Sequence, residues 1–113
     1  MLEKLAMDLL NELVAGRVYF DHAPDQVGVP YIVLLQVGGE PVEFLDGPSD
    51  MDLIRLQIDI YSETRTSANE LMSQARIRLR TLQASAIGAP VSFYESAVGL
   101  YRRRCDFRIL APA

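Results

Sequence analysis

The sequence has one cysteine, one histidine and no tryptophan in 113 residues. A lone cysteine, Cys105, excludes an internal disulfide, and cysteine usage gives no sign of an oxidising compartment. One cysteine with one histidine cannot furnish a zinc site. No window approaches ~18 consecutive apolar residues, which excludes a transmembrane helix. The opening MLEKLAMDLLNELVAG has no basic start and carries Glu3, Asp8 and Glu12 inside its apolar stretch, so it does not read as a signal peptide. Lysine is nearly missing as well: Lys4 is the only one among 11 cations. No internal repeat or low-complexity segment is present.

Half the residues are hydrophobic and 23% are charged. That composition excludes a disordered linker and suits one domain over residues 1–113. A chain of this size buries roughly two thirds of its unfolded surface, enough for a core without staples. The charge is unevenly spread. Residues 1–75 carry four cations and thirteen acids, whereas residues 76–113 carry seven arginines and two acids. Arginine is favoured over lysine in ion pairs and interfaces. Unlike halves of this kind either neutralise each other within one fold or meet head to tail between copies.

Leu2, Leu5, Ala6, Leu9, Leu10, Leu13 and Val14 recur at helical spacing, and Gly16 ends that helix. A short extended piece, 17–20, precedes a loop with Pro24, Gly28 and Pro30. Tyr31 to Val37 reads as a strand covered on both faces. Gly38-Gly39 is expected to break it. The acidic stretch 38–52 then reads as the most mobile part, with a turn at Asp46-Gly47-Pro48 and room for a small hairpin around Val42-Glu43-Phe44. Leu53 to Tyr61 alternates strictly, with Ile54, Leu56, Ile58 and Ile60 inward and Arg55, Gln57, Asp59 and Tyr61 on a polar face. A second helix begins between Ser62 and Ser67, where Ser62, Thr64, Thr66 and Ser67 all offer N-cap oxygens and Ser67-x-x-Glu70 matches a capping box. It buries Ala68, Leu71, Met72, Ala75, Leu79 and Leu82. Arg76 and Arg80 share one side of it, with Arg78 well round from them. Strands over 91–95 and 99–110 close the chain. The fold class is α+β: two helices on a mainly antiparallel sheet of four to five strands, in the order α-β-β-β-α-β-β.

No catalytic constellation emerges. His22 stands beside Asp21, but adjacent residues rarely face each other and no nucleophile turn accompanies them. Cys105 reads as a small buried hydrophobe on a strand. Gly38-Gly39 lacks the spacing of a phosphate loop, and no acidic run makes a calcium loop. The cluster Arg102-Arg103-Arg104 is split by strand alternation. Its outward members, Arg102 and Arg104, are expected to pair with acids across strands or subunits, Asp59 being one candidate; nucleic-acid binding through these arginines is the alternative. No catalytic residue, metal or cofactor is expected, and an assembly role fits better than an enzyme.

The order of segments also carries a resemblance. Gly16-Arg17-Val18-Tyr19 follows an amphipathic helix, then come Ala23-Pro24 and Val29-Pro30-Tyr31-Ile32-Val33. Leu45-Asp46-Gly47, the strand 56–62, a helix, and Gly99-Leu100-Tyr101-Arg102-Arg103 through Ile109 complete the set. From Leu2 to Ile109 the chain resembles the tail-completion, or tail-terminator, family of long-tailed phages, prophages and gene transfer agents. The resemblance implies a non-enzymatic virion protein, a homo-hexameric ring that caps the tail tube and joins it to the head. A different head-completion or neck component is the nearest alternative. Implied partners are further copies of the chain, the major tail tube protein and a head-completion or connector protein. DNA meets the ring only in transit, and no membrane is involved. Localisation would be the virion tail, and the host cytoplasm during assembly. On this reading Arg76, Arg80, Arg102, Arg104 and Asp59 are candidate interface residues. Glu40, Glu43, Asp46, Asp50 and Asp52 are candidates for a loop facing the channel or the tube, where acids would repel DNA phosphates.

Overall fold

Alternation in the strands and one apolar stripe on each helix together build a two-layer molecule. The computed structural model describes residues 2–44 and 47–112. Helix α1 spans Leu2–Leu10 and tightens into a 3-10 turn over Asn11–Val14. Strand β1 is Val18–Phe20, β2 is Tyr31–Phe44 and β3 is Gly47–Ser62. Helix α2, Arg65–Leu79, runs into a 3-10 turn over Arg80–Leu82. Strands β4, Ser85–Glu95, and β5, Leu100–Pro112, follow. The sheet order is β1-β2-β3-β5-β4, with β1 parallel to β2 and every other pairing antiparallel. The class and element order are those read from the sequence.

Both helices cover one face of the sheet. Ala6, Leu10 and Val14 of the N-terminal segment and Met72, Ala75 and Leu79 of α2 close over Ile32, Leu34, Leu56, Ile58, Ile60, Cys105, Phe107 and Ile109. Every second residue of three adjacent strands therefore feeds a single core, whose apolar burial is the main driving force for folding.

Several boundaries differ from expectation, each for a local reason. The first helix does not stay α-helical to Val14, and Ala15 as well as Gly16 takes a left-handed conformation at its end. Helix α2 is capped by Thr64, one of the four candidate hydroxyls, which accepts the Ser67 N–H at 3.1 Å; the Ser67–Glu70 capping box is not the one used. Ser67 is already inside the helix, and its hydroxyl is shared with that of Ser62 at 2.7 Å. Strand β4 starts at Ser85, six residues before the expected Val91, because it resumes pairing with β5 across an irregularity between Ile87 and Val91.

The largest correction concerns residues 38–52. Gly38-Gly39 does not break the strand. The pairing of β2 with β3 absorbs a bulge between Gln36 and Gly38, shifts again between Pro41 and Glu43, and continues to Phe44 opposite Gly47. Gly39 has φ 154°, and a Cβ there would stand 2.8 Å from the Leu53 carbonyl oxygen. Glycine lets the two backbones approach where any side chain would force them apart. The acidic stretch is thus a two-stranded arm that prolongs the sheet, and the molecule measures 52 × 24 × 24 Å.

Candidate functional site

The face of the sheet away from the helices is a groove of 890 Å³, walled on one side by residues 21–29. Arg17 fixes the end of that wall by donating from Nε to the Pro30 carbonyl at 2.9 Å. The floor is built by cross-strand rows. Tyr31 stands opposite Tyr61, Tyr61 opposite Arg102, and Arg102 opposite Phe93. One step along, Val33, Asp59, Arg104 and Val91 form the next row.

Each row holds by contact between immediate neighbours. The Tyr31 and Tyr61 rings stack with centroids 4.6 Å apart. Arg102 lies over the Phe93 ring at 4.4 Å, a cation–π contact, and its Nη2 meets Glu95 Oε1 at 2.9 Å. Arg104 donates from Nε to Asp59 Oδ1 at 2.9 Å and from Nη2 to Oδ2 at 3.4 Å. Gln57 donates from Nε2 to Oδ2 of the same carboxylate at 3.1 Å. Asp59 is only 5% exposed, so the polar face keeps its acid out of water. A buried carboxylate needs such partners, since an unpaired one is costly. The hydrogen bond to Asp59 raises the Arg104 pKa, and burial works against it. Tyr31 is raised too, by burial first and then by Tyr61 and Glu95.

Arg102, Arg104 and Asp59 therefore come together inside one chain. Arg103 turns to the opposite face and gives its Nη1 to Ser92 Oγ at 2.6 Å. Arg102 and Arg104 are engaged by Asp59 and Glu95, which leaves no free arginine row here for phosphates.

Arg76 and Arg80 stand elsewhere. Both are exposed, Arg76 on α2 and Arg80 in the 3-10 turn that continues it, and they make no ion pair or side-chain hydrogen bond among the described residues. With Ser73, Ile77, Ala84, Ala86 and Phe107 they rim a shallow recess of 380 Å³. Arg78, on another side of the helix, donates to the Leu9 carbonyl at 3.3 Å and to Glu12 at 3.0 Å, tying α2 to α1.

The acids of residues 38–52 lie on the arm. Glu40 is opposite Leu53, whereas Asp52 is opposite Pro41 and Ala111, on the side where Leu56 and Phe107 face the helices. They do not line one surface. Glu40, Glu43, Asp50 and Asp52 have no ion pair among the described residues. Asp46 lies outside the described residues.

His22 and Asp21 sit on the rim of the groove, with no serine or cysteine among the lining residues. Cys105 is on the helix side, 2% exposed, and burial pushes its thiol pKa up, which disfavours the reactive thiolate. Among the described residues no group of three or more His, Cys, Asp or Glu is placed to hold a metal. Sequence reasoning missed the contributions of Glu95, Gln57, Phe93 and the tyrosine stack. Their signal was present, since each lies on an alternating strand, but their partners depend on the order of the strands.

Comparison with known proteins adds the context that this geometry lacks. No curated protein matches the chain. A solved structure titled as the virion of a native gene transfer agent particle contains a chain of the same fold, with TM-score 0.60 and 13% identity, covering 92% of this chain and 84% of that one. The family model for tail completion protein gp17 matches residues 5–111, nearly the whole sequence. The chain belongs to the tail completion protein gp17 family and is a structural protein of the phage-tail type.

Proposed function

We propose that this protein caps a phage-type tail tube as a homo-hexameric ring and joins the tail to the head. Its partners are then further copies of itself, the tail tube protein and a head-completion or connector protein. DNA passes through the ring only during ejection. Assembly would take place in the host cytoplasm, and the finished protein would reside in the virion tail.

Family membership supports the tail role. The structural observation that carries the ring is a pair of unlike, unsatisfied surfaces on one subunit: the exposed Arg76 and Arg80 of α2, and the acidic arm bearing Glu40, Glu43, Asp50 and Asp52. Unlike patches on identical subunits make heterologous contacts, and these close into rings when the rotation allows. Asp59, Arg102 and Arg104 act behind this surface by stiffening the sheet that carries it. Native mass spectrometry of the 12.6 kDa chain over a concentration series tests the proposal. A hexamer is expected, and a strict dimer would count against the ring.

A further inference from the structure

Within one subunit the arm and the α2 arginines do not meet. The arm is paired strand to strand out to Phe44 and Gly47 and continues the sheet. From the Glu40–Leu53 pair it runs on for about 13 Å at the ordinary rise of a strand. A paired ribbon of this kind cannot fold back over its own helix layer.

Spacing and charge match between the two surfaces. Arg76 and Arg80 are one helical turn apart, so their Cβ atoms lie about 6 Å from each other. Asp50 and Asp52 are two residues apart on β3, where its pairing with β2 is irregular, so they lie at most about 7 Å apart along the chain. Each guanidinium can therefore meet its own carboxylate. On the same recess, to one side of the arginine pair, stands Ile77, an apolar side chain that is 56% exposed and makes a natural contact point beneath a ribbon. Glu40 and Glu43 add negative charge to the same arm, and none of these residues has an ion pair at home among the described residues.

We infer that the acidic arm of one subunit seats on the Arg76–Ile77–Arg80 face of α2 in the next copy of the chain, with Asp50 and Asp52 opposite the two arginines. This deepens the ring reading and rests on it. It directs the arm to a neighbour and not to the channel. Repeated around an axis, each subunit gives an arm and receives one.

The test is self-association of the full chain, measured by sedimentation and native mass spectrometry at low and high salt. R76E/R80E and D50K/D52K alter exposed or half-exposed positions, and circular dichroism is expected to show both folded. Each is expected to weaken association at least about tenfold, because like charges then face each other. High salt is expected to weaken the wild-type contact in the same direction. The chain carrying all four substitutions restores complementarity and is expected to recover assembly. Equimolar mixing of the two double variants is expected to do the same.

Wild-type-like assembly of R76E/R80E would overturn the arm contact while leaving a wild-type hexamer, and so the ring, in place. Failure of the four-site chain to recover would do the same. A wild-type dimer sensitive to these variants would keep the contact and overturn the ring. A wild-type chain that stays monomeric throughout the series would overturn both.

Discussion

The two faces of this sheet are made by the same strands and held by different physics. On the helix side, Leu56, Ile58, Ile60, Cys105, Phe107 and Ile109 are all nearly inaccessible and pack in one apolar cluster with residues of α1 and α2. On the groove side, the residues between them are Gln57, Asp59, Tyr61, Arg102 and Arg104, which meet through ring contacts and ion pairs. One face gains stability by removing area from water, and its atoms are interchangeable if volume is kept. The other depends on particular partners, and removing one leaves a charge stranded. A strand can serve both because its side chains alternate.

The sharpest way to break this comparison is a truncation on the helix side. Phe107→Ala removes the largest fully buried side chain and is expected to destabilise by about 4 kcal/mol, read by urea or thermal unfolding. The next effect belongs to the groove. Asp59→Ala strands Arg104 and is expected to cost about 2 kcal/mol, below the full value for a buried pair because Arg104 is partly exposed and Arg102 keeps Glu95. Asp59→Ala with Arg104→Met is expected to recover much of that loss. A double variant no more stable than Asp59→Ala would show that the groove side is held by packing after all.

Gly39→Ala probes where the sheet leaves the body and becomes the arm. With φ at 154° and the Leu53 carbonyl in the way, it is expected to cost about 1–2 kcal/mol. Local hydrogen exchange in residues 38–54 would rise more than in the core. Smallest of the substitutions is Arg55→Ala, which removes a half-exposed ion pair to Asp106 at 2.8 Å and is expected to change stability by less than about 1 kcal/mol.

The core's one thiol gives a pH test. The Cys105 pKa is raised by burial, so the folded state keeps its proton at a pH where the unfolded chain has begun to lose it. The stability it contributes is whole below the unfolded thiol pKa and declines as pH rises through the folded one. Alkaline unfolding is thus expected to be milder in Cys105→Ala. At neutral pH, alkylation of the native thiol is expected to be slower than that of a free cysteine. Equal rates would mean that the helix face opens readily.

Much of this was legible in the residues. The strict alternation of 53–61 and the stripe of α2 are local patterns, and they placed Ile58, Ile60, Met72 and Leu79 in the core without knowledge of the fold. The four-residue interval put Arg76 and Arg80 on one side of their helix. Alternation also split Arg103 from Arg102 and Arg104. The hairpin expected around Val42-Glu43-Phe44 is the outer part of the arm, but its continuity with β2 was missed because Gly38-Gly39 is ordinary turn chemistry when taken locally. Only the pairing with Leu53 and Ile54 reveals that a glycine was needed for close approach of two strands. The cap on α2 was narrowed by sequence to Ser62, Thr64, Thr66 and Ser67, which offer equivalent oxygens, and the path of the chain leaving β3 selects Thr64.

What the sequence determined by itself is periodic and local: which residues face which way, where helices and strands lie, and that the charge is divided along the chain. Those depend on neighbours within a few residues, whose geometry is set by the backbone. Only the tertiary structure decided that β5 lies beside β3, and with it that Arg104 meets Asp59, that Arg102 is held by Glu95 and Phe93, and that Arg76 and Arg80 have no ion-pair partner among the described residues. Strand order is a choice among distant segments, settled by closing one apolar core, and no short-range pattern in the chain encodes it.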